Sequence, residues 1–150
     1  MIIIAIDPDS DKHGIAIYRK NILCELLSLN TIQLYKHITT LEKAALRAGE
    51  IEIHMENPKG NNSSAFSHYS KDSMAVKFKK SESVGRVKQA QTSIEQMADE
   101  LGIKVTLYKN SSCWKKASEK KIFEKVTGWT GRSNEDTRSA AWFGYLATKK

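Results

Sequence analysis

Acidic side chains end two short segments of predicted strand and begin the last predicted helix. Asp7 follows the apolar run 2–6, Glu56 ends the alternating segment 51–56, and Asp136 lies in the first turn of a C-terminal helix. A carboxylate at the edge of a core is costly to bury unless it is paired or bound to a metal ion. Carboxylate oxygens suit Mg²⁺ and Mn²⁺, so these acids predict a divalent-metal site.

Each of these acids also has an ordinary structural explanation. Asp7 precedes Pro8, and this pair of residue types is common at turns. Glu56 follows the same alternation as Glu52, which is typical of a solvated strand edge. Asp136 would interact favourably with the dipole of its own helix. The residue types therefore leave two interpretations of these acids open, as metal ligands or as ordinary turn, edge and helix-start residues.

The charge distribution favours a polyanionic partner. The 150 residues carry 24 Lys and Arg against 17 Asp and Glu, for a net charge of +7. Such a surplus attracts polyanions without fixing a fold. Lysines concentrate at 71–88 and 115–125, whereas acids cluster near the start. A basic surface around local acids is what a metal-dependent enzyme acting on phosphates requires.

Length and composition predict one domain over residues 1–150 with no membrane association. No window approaches eighteen apolar residues, and the apolar start lacks the basic residues and cleavage site of a signal peptide. Cys24 and Cys113 have no paired-ligand spacing, so we expect two free thiols. Together these features predict a cytoplasmic protein.

Apolar periodicity divides the chain into strands and helices. The predicted strands cover 2–7, 14–18, 22–29, 51–56 and 103–107. The predicted helices begin at Asn30 or Thr31, at Val84, at Ser111 or Ser112, and at Asn134. Residues 57–83 lack a clear period and are predicted to form a long loop, which is often functional. Three leading strands with a tight hairpin, followed by alternating helices and strands, predict a mixed α/β sheet with helices on its faces.

Four motifs in order resemble the RuvC family of Holliday junction resolvases, RNase H-like endonucleases, especially its phage and phage-like members. They are Ile4-Ala-Ile-Asp7-Pro8 with Gly14-Ile-Ala-Ile, Met55-Glu56-Asn-Pro, Ser83-Val-Gly-Arg86, and Gly128-Trp-Thr-Gly-Arg-Ser-Asn-Glu-Asp136-Thr-Arg-Ser139-Ala-Ala141. The match covers nearly the whole chain. It implies an RNase H-like mixed five-stranded sheet, with three antiparallel leading strands and then parallel strands, flanked by helices.

The resemblance implies a structure-selective endonuclease that resolves four-way junctions. Asp7, Glu56 and Asp136 would hold Mg²⁺ or Mn²⁺, with two ions per site that hydrolyse a phosphodiester. Ser139 occupies the catalytic position where the family has its last aspartate. Three explanations stay open. Glu135 or Asp136 substitutes as a ligand, or the protein binds junctions without cutting them well, or the serine is an inactivating change.

The expected partner is branched DNA bound by a homodimer, in the cytoplasm of a bacterium or of a phage-infected host. A two-fold dimer answers the approximate symmetry of a four-way junction. Candidate phosphate contacts are Lys71, Lys77, Lys79, Lys80, Arg86, Lys88, Lys115 and Lys116. Candidate wedge or stacking residues at an opened junction are Phe66, Tyr69 and Phe78.

Two other functions fit the same residues. One is a junction-binding protein whose site is weak or inactive because of Ser139. The other is a ribonuclease of the RNase H type that acts on RNA–DNA hybrids. Cleavage of a junction, a linear duplex and a hybrid, compared side by side, separates the three.

Overall fold

The computed structural model describes residues 1–44, 50–60 and 71–150, which form a five-stranded sheet with helices on both faces. The strands are β1 (Ile2–Asp7), β2 (His13–Arg19), β3 (Ile22–Leu29), β4 (Ile51–Glu56) and β5 (Lys104–Tyr108). The helices are α1 (Thr31–Ala44), α2 (Met74–Glu100), α3 (Lys120–Thr127) and α4 (Glu135–Ala147). Short 3-10 helices cover Pro58–Gly60 and Ala117–Glu119.

The strand order is β3-β2-β1-β4-β5. β2 is antiparallel to both β1 and β3, whereas β4 is parallel to both β1 and β5. This is the predicted mixed sheet with three antiparallel leading strands. The predicted hairpin also forms, because Lys20 and Asn21 both adopt positive φ angles, 49° and 65°, as a tight turn between twisted strands requires.

Both faces of the sheet are covered by helices. One face packs against α1 and α2, through Ile4, Ile6, Ile15, Ile17, Ile53 and Met55 of the strands with Leu34, Ile38, Ile94 and Met97 of the helices. The other packs against α3 and α4, through Ile3, Ala5, Ala16 and Tyr18 with Phe123, Ala140 and Phe143. Side chains of a strand alternate between the two faces of a sheet, so His54 and Glu56 of β4 point away from Ile53 and Met55. Both are buried as well.

The parallel pairing of β1 and β4 brings their acidic ends together. Ile6 lies opposite Met55, so Asp7 and Glu56 follow at neighbouring positions on the same edge of the sheet. Asp7 is also opposite Gly14 in the antiparallel pair with β2. The sheet therefore brings together two carboxylates that are far apart in sequence.

α4 crosses the sheet close to these strand ends because glycines leave room for it. A β-carbon on Gly14 would collide with the carbonyl group of Asp136 and lie 2.8 Å from the Thr137 nitrogen. A β-carbon on Gly144 would collide with the Tyr18 ring. The Tyr18 hydroxyl donates a hydrogen bond of 2.7 Å to the Ala141 carbonyl. These contacts set the first turn of α4, and with it Asp136, beside Asp7.

The predicted start of the long helix at Val84 is wrong, because α2 begins at Met74. Ser73 caps it by accepting a hydrogen bond from the Val76 N–H. The buried residues of α2 begin only at Ala90. Its first half does not pack on the sheet, so it carries no apolar periodicity by which a sequence pattern reveals a helix.

The predicted helix from Ser111 or Ser112 is also wrong, because the next helix, α3, begins at Lys120. Trp114 has a φ angle of 63°, a left-handed conformation that a right-handed helix cannot contain. Residues 109–116 instead cross the carboxyl edge of the sheet as an irregular segment. The last predicted helix is confirmed, with Asn134 as its cap and its span at Glu135–Ala147.

Two predicted stacking residues, Phe66 and Tyr69, lie outside the described residues. Cys24 and Cys113 are both free, as predicted. None of the described helices combines the length and the apolar character that a membrane span needs.

Substitution of Gly14 by alanine should destabilise the protein. The new methyl group would meet the backbone of α4, and overpacking of this kind typically costs about 1–3 kcal/mol. We expect Gly14→Ala to lower the urea midpoint of unfolding accordingly. Gly85→Ala is the matched control, because Gly85 is exposed inside α2 with nothing within 4 Å of the added carbon.

At Gly85 the same change should raise stability by about 0.5–1 kcal/mol, since alanine favours a helix interior. Equal effects of the two substitutions on the free energy of unfolding would contradict the close approach of α4 to β2.

Candidate functional site

Two buried carboxylates meet one ammonium group at the carboxyl edge of the sheet. Asp7 is 3% exposed and Glu56 is 6% exposed. The Lys115 Nζ atom lies 3.0 Å from Asp7 Oδ2 and 3.8 Å from Glu56 Oε2. The predicted acidic pair is thus brought together by the fold, and a lysine that was predicted to contact phosphate stands between its members.

The backbone around Lys115 is clamped by a buried arginine. Arg138, in α4, donates hydrogen bonds of 2.9 Å from Nε to the Trp114 carbonyl and from Nη2 to the Lys115 carbonyl. The Trp114 ring is buried edge-on against Phe123 and Trp142. The left-handed φ of Trp114 is therefore over-determined by its neighbours, and this geometry directs Lys115 toward the acids.

Hydrogen bonds hold both the Glu56 side chain and the residues that follow it. The Ser111 N–H donates a hydrogen bond of 3.1 Å to Glu56 Oε1. Just after Glu56, the side-chain amide of the fully buried Gln91 donates to Asn57 Oδ1 at 2.9 Å and accepts from the Lys59 N–H at 3.0 Å. The end of β4 is consequently tied to both α2 and the segment that carries Lys115.

Electrostatic effects at the site follow from burial and from crowded like charges. Burial, opposed by Lys115 and reinforced by Glu56, raises the pKa of Asp7 from 3.8 to about 7. Burial followed by the charges of Asp7, Asp9 and Glu135 raises the pKa of Asp136. Burial would lower the pKa of Lys115, but Asp7 and Glu56 outweigh it and raise that pKa. Lys115 therefore stays cationic, while the raised pKa values of Asp7 and Asp136 oppose their ionisation.

The first turn of α4 brings further oxygen atoms to this edge. Asp136 is half-buried and lies near enough to Asp7 and Lys115 for their charges to act on it. Glu135, the predicted substitute ligand, is exposed on the neighbouring position. Ser139 is 1% exposed, one helical turn further into the protein. The structure thus places Asp7 and Glu56 together, with Asp136 within electrostatic reach of Asp7 and with Ser139 buried on the same helix as Asp136.

The chemistry of these oxygens fits a cation. Asp7 Oδ2 and Ser139 Oγ are buried and lack a hydrogen-bond partner within the described ranges. The Asp7 oxygen is close to the Lys115 ammonium, but the contact is an ion pair rather than a well-aligned hydrogen bond. Within residues 1–44, 50–60 and 71–150, no three His, Cys, Asp or Glu side chains converge as a ready metal cage. Asp7, Glu56 and Asp136 would therefore hold a cation only with water or substrate oxygens in the remaining positions.

The basic residues predicted to contact DNA lie mainly on α2. Exposed members are Lys71, Lys79, Arg86 and Lys116, and half-buried members are Lys77, Lys80, Lys88 and Lys115. By helical period, Lys77 and Lys88 share one side of α2, whereas Lys79 and Arg86 share the opposite side. Arg86 forms an ion pair with Glu82, and Lys80 with Asp72. Phe78, predicted as a wedge, is 62% exposed on the same half of the helix.

Sequence reasoning missed two residues that shape this site. Lys115 was predicted to contact phosphate, and no role was predicted for Arg138. An arginine among the small residues of the run Asp136-Thr-Arg-Ser-Ala-Ala141 was the available signal, because a charged side chain at a helix position that becomes buried requires partners. Those partners are backbone carbonyls of residues more than twenty positions away, which no local pattern reveals.

Comparisons with known proteins establish the fold. No family model and no curated protein matches the chain. A solved structure described as Thermus thermophilus RuvC in complex with Holliday junction substrate matches at 11% identity, covering 99% of this chain and 94% of that chain with a TM-score of 0.59. A second Thermus thermophilus RuvC structure matches at 16% identity and the same coverage, with a TM-score of 0.51. The chain thus has the RuvC-like, RNase H-like fold that its motifs predicted.

The raised pKa of Asp7 predicts a pH-dependent loss of stability without metal. The folded protein resists ionisation of Asp7, so this group lowers the free energy of unfolding as pH rises from 3.8 to about 7. In EDTA, Asp7→Asn should therefore gain stability over the parent chain with increasing pH, by a few kcal/mol in order of magnitude at pH 8. Urea unfolding at a series of pH values measures this difference. If the difference in free energy of unfolding between Asp7→Asn and the parent chain did not change with pH, the raised pKa of Asp7 would be contradicted.

Substitution of Arg138 should destabilise the protein more than substitution of an exposed arginine. Arg138→Gln removes two buried hydrogen bonds from a charged donor, each worth roughly 1.5–3 kcal/mol. We expect the free energy of unfolding to fall by at least about 2 kcal/mol. Arg132→Gln is the control, because Arg132 is exposed before α4 and its substitution should change stability by less than about 0.5 kcal/mol.

Proposed function

We propose that this chain is a divalent-metal-dependent endonuclease that resolves four-way DNA junctions. The observation that carries the proposal is that Asp7 and Glu56 meet at one edge of a RuvC-like fold, with Asp136 near enough for the charge of Asp7 to act on it. The matched structure of Thermus thermophilus RuvC is a complex with a Holliday junction substrate, which supports the substrate class. We further propose that residues 1–150 act as a single nuclease domain.

Asp7, Glu56 and Asp136 would hold Mg²⁺ or Mn²⁺. When bound, the divalent cation supplies the positive charge that activates water and stabilises the leaving 3′ oxygen of a phosphodiester. The protein's own contribution is to hold its carboxylates rigidly in a dry edge of the core. The hydrogen bond from Ser111 orients Glu56, and the pairing of β1 with β2 and β4 fixes Asp7.

The charge pattern supports a phosphate backbone as the bound group. The acids lie in a protein of net charge +7, and the first half of α2 carries Lys77, Lys79, Lys80 and Arg86. Such side chains position a duplex through its phosphates and make affinity fall with salt. We include in the proposal the predicted basic residues and the stacking roles of Phe66, Tyr69 and Phe78.

We propose a homodimer as the active assembly, because a junction resolved by two symmetric cuts needs two sites related by a two-fold axis. The first half of α2 extends beyond the sheet and exposes Met74, Val76 and Val84. These apolar side chains are suited to contact a second chain.

A junction-binding protein with little cleavage is a second candidate, favoured by two observations. Ser139 has a hydroxyl where the resemblance implies a carboxylate, and a hydroxyl is a weaker ligand for a hard cation. Lys115 also occupies the space between Asp7 and Glu56. In this alternative the fold and the basic surface would still bind a four-way junction.

Cleavage of a synthetic four-way junction in Mg²⁺ or Mn²⁺ tests the proposal. We expect symmetric nicks in the junction and none in a linear duplex of the same arms or in an RNA–DNA hybrid. Asp7→Asn and Glu56→Gln should each lower the cleavage rate by more than about 100-fold, with junction binding retained. A denaturing gel measures cleavage, and a mobility shift measures binding.

Each other outcome has a distinct meaning. Cleavage confined to the hybrid would instead identify a ribonuclease. Tight junction binding without nicks, converted to cleavage by Ser139→Asp, would identify the junction-binding alternative. Undiminished cleavage by Asp7→Asn would place the catalytic metal elsewhere.

A further inference from the structure

The ammonium group of Lys115 occupies the kind of position that a metal ion takes between carboxylates. Its nitrogen lies 3.0 Å from Asp7 Oδ2 and 3.8 Å from Glu56 Oε2, and Asp136 also acts on its charge. A surface lysine that is not held by its surroundings extends its ammonium group into water, where the charge is well solvated. This one is instead half-buried at the site.

The position of Lys115 is built into the fold. Arg138 binds the carbonyl groups of Trp114 and Lys115, and the buried Trp114 ring prevents this segment from turning away. Arg138 is adjacent in sequence to Ser139, on the helix that also carries Asp136. α4 therefore has Ser139 in place of the expected aspartate, and through Arg138 it also holds the segment that carries Lys115.

Formal charges at the site match one divalent ion. Asp7, Glu56 and Asp136 contribute three negative charges when ionised, and Lys115 contributes one positive charge. The remaining two negative charges balance a single Mg²⁺ or Mn²⁺. An aspartate at position 139 without Lys115 would give four negative charges, which balance two such ions.

We propose that Lys115 takes the place of a second metal ion, so that the site binds one divalent cation per chain, and that Arg138 is the residue that positions it. The inference rests on the proposed metal-dependent function and narrows the expected two ions to one. Two cations and a fixed ammonium group would repel one another within a few ångströms, and a partly buried site screens such repulsion weakly.

The number and spacing of bound Mn²⁺ ions test the proposal without any measurement of cleavage. Calorimetric titration of the full chain gives the stoichiometry, and electron paramagnetic resonance distinguishes an isolated Mn²⁺ from a spin-coupled pair. We expect one isolated ion per chain. Lys115→Gln combined with Ser139→Asp should bind two coupled ions, whereas Ser139→Asp alone, which keeps the lysine, should still bind one.

The single substitution Lys115→Gln should tighten binding of the first Mn²⁺ at least tenfold, because it removes a neighbouring positive charge. Thermal unfolding with and without Mn²⁺ provides a second readout of this change and shows that the variant folds. Lys125→Gln is the matched control, since Lys125 is exposed on α3 and its loss should change neither stoichiometry nor affinity. Arg138→Lys keeps the positive charge but loses the paired hydrogen bonds to the Trp114 and Lys115 carbonyls. It should hold Lys115 less firmly, so a second Mn²⁺ should bind more readily than in the unmodified chain.

The outcomes separate this inference from the proposed function. Two coupled Mn²⁺ ions in the unmodified chain would overturn the inference and leave a metal-dependent nuclease standing. One ion in the double variant would also overturn it, because Lys115 would then not be what excludes the second ion. Absence of Mn²⁺ binding from every variant would overturn the inference together with the metal-dependent function.

Discussion

The burial of two carboxylates at neighbouring strand ends is the constraint on which the rest of this structure depends. Removing Asp7 and Glu56 from water is costly, and their mutual repulsion adds to that cost. Lys115 offsets part of it by ion pairing, and the Ser111 N–H satisfies one oxygen of Glu56. The segment that supplies both groups must therefore pass over the carboxyl edge of the sheet, where Asp7 and Glu56 lie.

That segment holds its shape because α4 packs tightly against the sheet. Gly14 and Gly144 let the helix backbone approach the strands, and this approach brings Arg138 within hydrogen-bond distance of the crossing segment. The arginine is itself a buried charge, and the two carbonyl groups it binds compensate for its desolvation. One helix thus contributes Asp136 directly and holds Lys115 through Arg138, so the stability of the fold and the charge balance of the site are coupled.

The two ends of α2 serve different purposes. Its second half buries Ile94 and Met97 against the sheet and uses Gln91 to secure the chain after Glu56. Its first half extends past the sheet with basic side chains and exposed apolar ones. α2 is therefore anchored to the sheet and to the residues after Glu56 by its second half, whereas its first half exposes basic and apolar side chains.

Much of the sheet was predictable from the sequence because its signals are local. Apolar runs that end in Asp7 and Glu56, the hairpin at Lys20 and Asn21, and the cap at Asn134 each depend on a few adjacent residues. The motifs in their order also predicted the RuvC-like topology. Local patterning failed for the first half of α2, since a solvent-exposed helix needs no apolar stripe.

The tertiary structure alone decided how the acidic site is completed. The ion pairs of Lys115, the clamp of Arg138 and the left-handed conformation of Trp114 join residues from distant parts of the chain. A charge has no sequence period, and its partner is set by which elements pack together. The sequence by itself therefore determined that carboxylates would gather at one edge of a mixed sheet, and the packing of α4 decided which cation stands between them.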